Sequence, residues 1–195
     1  MTPPDAPEGV LAEIAARALA SAERPVLLVD GGSGAGKSTL AAALLPKLGT
    51  AAGPAQLVSL DELYPGWDGL AAGARKVAET VLREEDPGWR RWDWPASAPA
   101  EWNAIDPLRP LVVEGCGALS SASRARASLG LWIELDAEER RRRALAREPG
   151  FAPWWERWAA QEAAWREAEP PGPLADIVLE MGAGQSPARG MDGVS

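Results

Sequence analysis

GGSGAGKS, residues 31–38, has a spacing that implies chemistry. It matches G-x-x-x-x-G-K-[ST], in which glycines let backbone N–H groups turn inward around a β-phosphate and the lysine reaches the β- and γ-phosphates. Gly32, Ser33, Gly34, Ala35, Gly36, Lys37, Ser38 and Thr39 are therefore the expected nucleotide-binding residues. The Ser38 hydroxyl suits magnesium, and a helix starting near residue 37 would aim its positive end at the same anion. The alternative is a glycine-rich turn without a ligand. An apolar run before the motif and a helical pattern after it favour nucleotide.

Acidic and basic groups follow at spacings that could complete such a site. SLDELY (59–64) and VVEG (112–115) put Asp61 and Glu114 at the carboxyl ends of strands, the edge where open α/β sheets bind ligands. Two carboxylates there suggest magnesium ligands, with Ser38, and a hydroxyl acceptor; otherwise each caps a helix or turn. In DAEERRRRALARE (136–148), Arg140, Arg143 and Arg147 share one helix face. That row suits a lid over phosphates, or else a solvated basic helix paired with Glu138, Glu139 and Glu148.

In RRWDWPA (90–96), Asp93 stands between Trp92 and Trp94. A carboxylate there can accept two hydrogen bonds from a vicinal diol while the indoles exclude water and stack on a ring. The plainer alternative makes the tryptophans core anchors and Asp93 a cap for the turn at Pro95. In PWWERWAAQEAAW (153–165), Trp154, Trp158, Gln161 and Trp165 share a face, so the Gln161 amide either reads a base edge or packs within a core.

The elements that must position these groups alternate. Helices are expected over 7–22, 37–45, 69–85, 137–148 and 153–168, and strands over 25–30, 55–60, 111–115, 131–135 and 175–180. Residues 86–110 read as a proline- and tryptophan-rich loop, and 181–195 as a disordered tail. This pattern predicts an α/β three-layer P-loop NTPase fold: a five-stranded parallel sheet covered on both faces, with a helical lid over about 137–168. One domain, 1–180, is expected of a 195-residue chain.

Composition narrows the partners. The net charge of −8 argues against gripping a nucleic acid polymer. No run of eighteen apolar residues suggests a membrane span, and MTPPDAPEGV lacks a secretory leader pattern, so a cytoplasmic location is expected. A single cysteine, Cys116, allows no internal disulfide and reads as a small buried hydrophobe; without histidine there is no ordinary zinc set. A homo-oligomer is left open.

Taken in order, GGSGAGKST, DELY, WDWP, VVEG, DAEERRRRALARE and LADIVL resemble the uridine kinase group of P-loop nucleoside kinases, and more distantly the nucleoside monophosphate kinases. The resemblance runs from about 26 to 180. It implies ATP and Mg2+ as cofactors and γ-phosphoryl transfer to the hydroxyl of a small molecule, most simply a nucleoside. It makes Asp61 the catalytic base, Tyr64 a wall of the acceptor pocket and Asp93 the ligand of ribose hydroxyls. Glu114 would help hold magnesium, and Arg140 and Arg143 would contact acceptor or phosphates. Departures cluster around the acceptor: no histidine, Leu63 where the family has phenylalanine, and a glycine-bounded helix before Trp92 where the family has a β-hairpin nearby. Two alternatives stay open: a kinase for another polyol or an antibiotic-like metabolite, and a regulatory nucleotide-binding ATPase.

Overall fold

The computed structural model describes residues 6–182, so the tail expected over 181–195 lies outside the described residues except for Met181 and Gly182. Met181 still donates its amide to Glu134 O at 2.8 Å, continuing a strand ladder.

Five parallel strands form the main sheet: β1 (Val26–Gly31), β2 (Gln56–Ser59), β5 (Leu111–Glu114), β6 (Leu129–Glu134) and β7 (Ile177–Glu180), in the order β2-β5-β1-β6-β7. Strand period 2 sends alternate side chains of β1 to opposite faces. Leu27 and Val29 join a core with Leu131, Ile133, Leu40 and Leu44; Val26 and Leu28 join another with Val58, Val113, Leu70 and Trp158. Both faces are thus covered, and β1 is buried along its whole length. On one face lie α1 (Glu8–Ser21), burying Leu11, Ile14, Ala15 and Ala18 at helical spacing, and α2 (Lys37–Leu44).

On the other face lie α3 (Leu70–Lys76), a following π turn over Val77–Val81, the short α4 (Ser121–Arg124) and α6 (Trp155–Ala168). Ahead of α6 runs α5 (Ala137–Arg147), then a 3-10 segment, Pro149–Trp154. The Asp136 carboxylate caps α5, accepting from the amides of Glu138 at 2.9 Å and Glu139 at 3.2 Å.

Residues 86–110 are not a loop. They contain an antiparallel hairpin, β3 (Gly88–Asp93) and β4 (Ala98–Ala104), forming a second sheet. Its strand signal is hidden because GWRRWD does not alternate apolar with polar residues, and because β4 carries an extra residue opposite Arg91, Arg90 pairing with Trp102 but Trp92 with Pro99. Pro99 is tolerated because a two-stranded ribbon has free edges. Among the described residues, no helix is long and apolar enough to cross a membrane.

Candidate active site

The glycine-rich segment leaves the buried end of β1 and enters α2 through Gly36, which is left-handed at φ 102°. Gly34 is also left-handed, at φ 82°, and a Cβ there would overlap the Arg140 carbonyl. Glycine at 34 is thus required twice, by backbone conformation and by the close approach of α5.

Lys37 is buried, and its Nζ lies 3.1 Å from Gly32 O and 3.3 Å from Cys116 Sγ. Burial alone would lower the lysine pKa; the acidic groups around it, Glu162, Glu114 and Asp30, outweigh it and hold the ammonium above its ordinary value. Burial pushes the Cys116 thiol up further than Lys37 pulls it down. Cys116 is therefore a neutral thiol at pH 7, and the three carboxylates hold the lysine charge.

At the carboxyl end of β5, the buried Glu114 directs Oε1 to two hydroxyls, Ser38 Oγ at 3.1 Å and Ser59 Oγ at 2.8 Å. Ser59 is the register partner of Glu114 across β2 and β5, so strand pairing sets this contact. Ser38 itself is exposed. An exposed hydroxyl backed by a buried carboxylate fits a hard, oxygen-seeking cation such as magnesium.

Asp61 follows two residues after Ser59, in a 3-10 turn, Leu60–Glu62, and is exposed. Its carbonyl accepts from Trp94 Nε1 at 2.8 Å, which fixes the end of the hairpin against this turn. Trp94 also meets Trp67 at 4.9 Å between ring centroids, and Trp67 stacks on Trp154 at 5.0 Å and on Phe151 at 5.6 Å. The Trp94 indole therefore belongs to an aromatic clamp joining hairpin, the 60–69 segment and the approach to α6. Trp92 is half-buried opposite Pro99. Asp93 caps the hairpin turn: Oδ1 accepts from Ala96 N at 3.0 Å, and Oδ2 lies 3.8 Å from Arg91.

Tyr64 lies beneath the site rather than in its opening. It is 1% exposed, edge-on to Trp158, and its hydroxyl donates to Cys116 O at 2.8 Å. Gln161 packs, with Nε2 donating to Trp67 O at 2.6 Å and Oε1 accepting weakly from Leu70 N at 3.4 Å. Of the arginine row, Arg140 reaches the cradle: Nη1 lies 3.4 Å from Ser33 O and 3.2 Å from Glu162 Oε2. Arg143 Nε bonds Glu139 Oε1 at 2.8 Å, and Arg142 binds the same carboxylate. Those hydrogen bonds hold Glu139 at a pKa of about 2.

The sequence alone does not single out Asp30 or Glu162, and it presents Cys116 only as a small buried hydrophobe. Asp30, the last polar residue of PVLLVD, is buried and accepts from the amides of Gly31 at 2.6 Å, Gly117 at 3.0 Å and Leu119 at 2.8 Å. It ties the cradle to the loop after β5. Burial raises its pKa to about 6, against the opposing pull of those amides and of Lys37. Glu162 neighbours Gln161 and shares its tryptophan stripe; its spacing to Trp158 and Trp165 was the available signal.

No protein-family model matches the chain, and no curated protein sequence matches it. Solved structures do. A protein from Silicibacter sp. TM1040 described as a putative fructose transport system kinase superposes with a TM-score of 0.59 at 18% identity, over 88% of this chain and 98% of that one. A possible uridine kinase from Bacillus stearothermophilus superposes with a TM-score of 0.58 at 16% identity, over 87% of this chain and 96% of that one. Together with the parallel sheet, the two likenesses show the three-layer α/β fold of P-loop type.

Proposed function

We propose that this chain is a small-molecule kinase that transfers the γ-phosphoryl of ATP, with magnesium, to a hydroxyl group, a nucleoside being the first candidate acceptor. One observation carries the reading: a phosphate cradle, the Ser38–Glu114–Ser59 cluster and the exposed Asp61 converge on one edge of the sheet. The kinase names of the two structural neighbours support it.

In this reading residues 1–180 form one catalytic unit with 137–168 as its lid. The amides from Gly32 to Thr39 and the Lys37 ammonium bind the phosphates. Magnesium, held through Ser38 with Glu114 behind it and Asp61 nearby, would neutralise charge on the phosphates when bound. Asp61 is the base that takes the acceptor proton. A carboxylate is far too weak a base to ionise a sugar hydroxyl beforehand, so it accepts the proton as transfer proceeds. Arg140 and Arg143 neutralise the transferring group. Trp94, anchored on Asp61 O, keeps water from the acceptor side, Tyr64 supports the loop that walls it, and Gln161 fixes α6 against it. Asp93 and Trp92 line the outer rim, where Asp93 binds a diol only by exchanging its contacts to Ala96 and Arg91.

That engagement of Asp93 favours a second acceptor class, a sugar or other polyol held mainly through Asp61. The test is acceptor-dependent ADP formation across nucleosides and sugars. A kinase forms ADP only with an acceptor, and Lys37→Ala abolishes both this and magnesium-nucleotide binding. Slow ADP formation indifferent to every acceptor would identify a regulatory ATPase instead.

A further inference from the structure

Glu162 is a buried carboxylate, and its partners belong to the phosphate site. Oε1 accepts from the Ser33 amide at 2.8 Å and from Cys116 Sγ at 3.2 Å. Oε2 accepts from Arg140 Nη1 at 3.2 Å. A cradle amide and a guanidinium are what a phosphate oxygen would bind there, and the nearby Lys37 ammonium is raised in part by the same carboxylate. Ser33 precedes the Gly34–Ser38 amides that wrap a β-phosphate, so its N–H marks the outer seat, on the side of the group to be transferred. Beside Glu162 lies an open hollow of about 370 Å³, lined by Arg140, Ala159, Glu162, Ala163, Arg166 and Glu167. An expelled side chain has somewhere to go.

We infer that Glu162 competes with a terminal phosphoryl for its seat and so makes the cradle discriminate triphosphate from diphosphate. This rests on the kinase reading. A diphosphate fills the inner seat with Glu162 in place. A triphosphate expels the carboxylate, and Arg140 exchanges Glu162 for the incoming phosphoryl oxygens. After transfer, Glu162 returns to the emptied seat and takes Arg140 back. Arg140 is thereby delivered only when there is a group to transfer, and Glu162 is its positioning residue.

Calorimetry with magnesium and a non-hydrolysable ATP analogue, or ADP, tests this on the wild-type chain, Glu162→Gln and Glu162→Asp. Glutamine removes the charge, and aspartate withdraws the carboxylate from the Ser33 amide. Glu162→Gln should bind the triphosphate about tenfold more tightly, the scale of one charge-assisted hydrogen bond released, with ADP affinity changed by less than about twofold. Glu162→Asp should shift the triphosphate in the same direction by less, and it decides the question if the glutamine variant folds poorly. Unchanged or weaker triphosphate binding, or an equal gain for ADP, overturns the inference alone. Absence of binding of either nucleotide to all three proteins overturns the kinase reading with it.

Discussion

Replacing Glu114 by glutamine separates a metal role from a structural one. Glutamine keeps the size of the side chain and an oxygen that can accept from Ser38 and Ser59, now at 3.1 and 2.8 Å from Oε1. Only the charge is lost. A unit charge and a divalent ion about 4 Å apart attract by about 8 kcal/mol at an effective dielectric constant near 20. Most of that is offset by the cost of removing both from water. The remainder matches the roughly 10–100-fold loss in metal affinity found when an outer partner of a metal ligand is removed, about 1.4–2.7 kcal/mol. The magnesium concentration giving half-maximal nucleotide binding should therefore rise about 10–100-fold, measured by titrating magnesium at fixed nucleotide. Because both serine hydrogen bonds persist, the melting temperature in EDTA should stay within about 4 °C of wild type. An unchanged magnesium requirement in a folded variant would show that Glu114 merely pins β2 and α2 to β5.

An arginine on a transferring phosphoryl contributes roughly 10³–10⁵ in rate and general-base assistance roughly 10²–10⁴, so Arg143→Ala should slow turnover at least as much as Asp61→Asn. Near-normal turnover in Arg143→Ala beside an inactive Asp61→Asn would remove Arg143 from the reaction. Asp30 should titrate with a midpoint of about 6 by carbon-13 NMR, and a midpoint near 4 would contradict its burial. Its folded pKa lies above its unfolded value of 3.8, so the protonated form is favoured on folding. Its contribution to stability is thus complete below about pH 4 and lost as pH rises through about 6, by about 3 kcal/mol at most.

The sheet was legible because each of its five strands is a largely apolar run of strand length, and the cradle because its spacing is dictated by a phosphate. The hairpin was not. GWRRWD has no apolar–polar alternation by which a strand is recognised, and β4 carries an extra residue opposite Arg91, so Asp93 reads as a loop residue between two indoles. The structure gives those indoles different places, Trp94 in the aromatic clamp and Trp92 opposite Pro99. Asp30 and Glu162 were illegible for another reason. Glu162 meets Ser33 across 129 positions and Asp30 meets Leu119 across 89, and no local period reports such contacts. A carboxylate inside an apolar run or a tryptophan stripe is the trace they leave.

In the proposed reaction the γ-phosphoryl leaves this cradle for a hydroxyl beside Asp61. ATP labelled with oxygen-18 in its γ-phosphoryl, incubated with magnesium and a mixture of nucleosides and sugars, tests it by the mass of the products. A labelled phosphate ester on one acceptor class, lost in Asp61→Asn while nucleotide binding persists, is the expected outcome. Label found in inorganic phosphate alone, with every acceptor recovered unchanged, would contradict it.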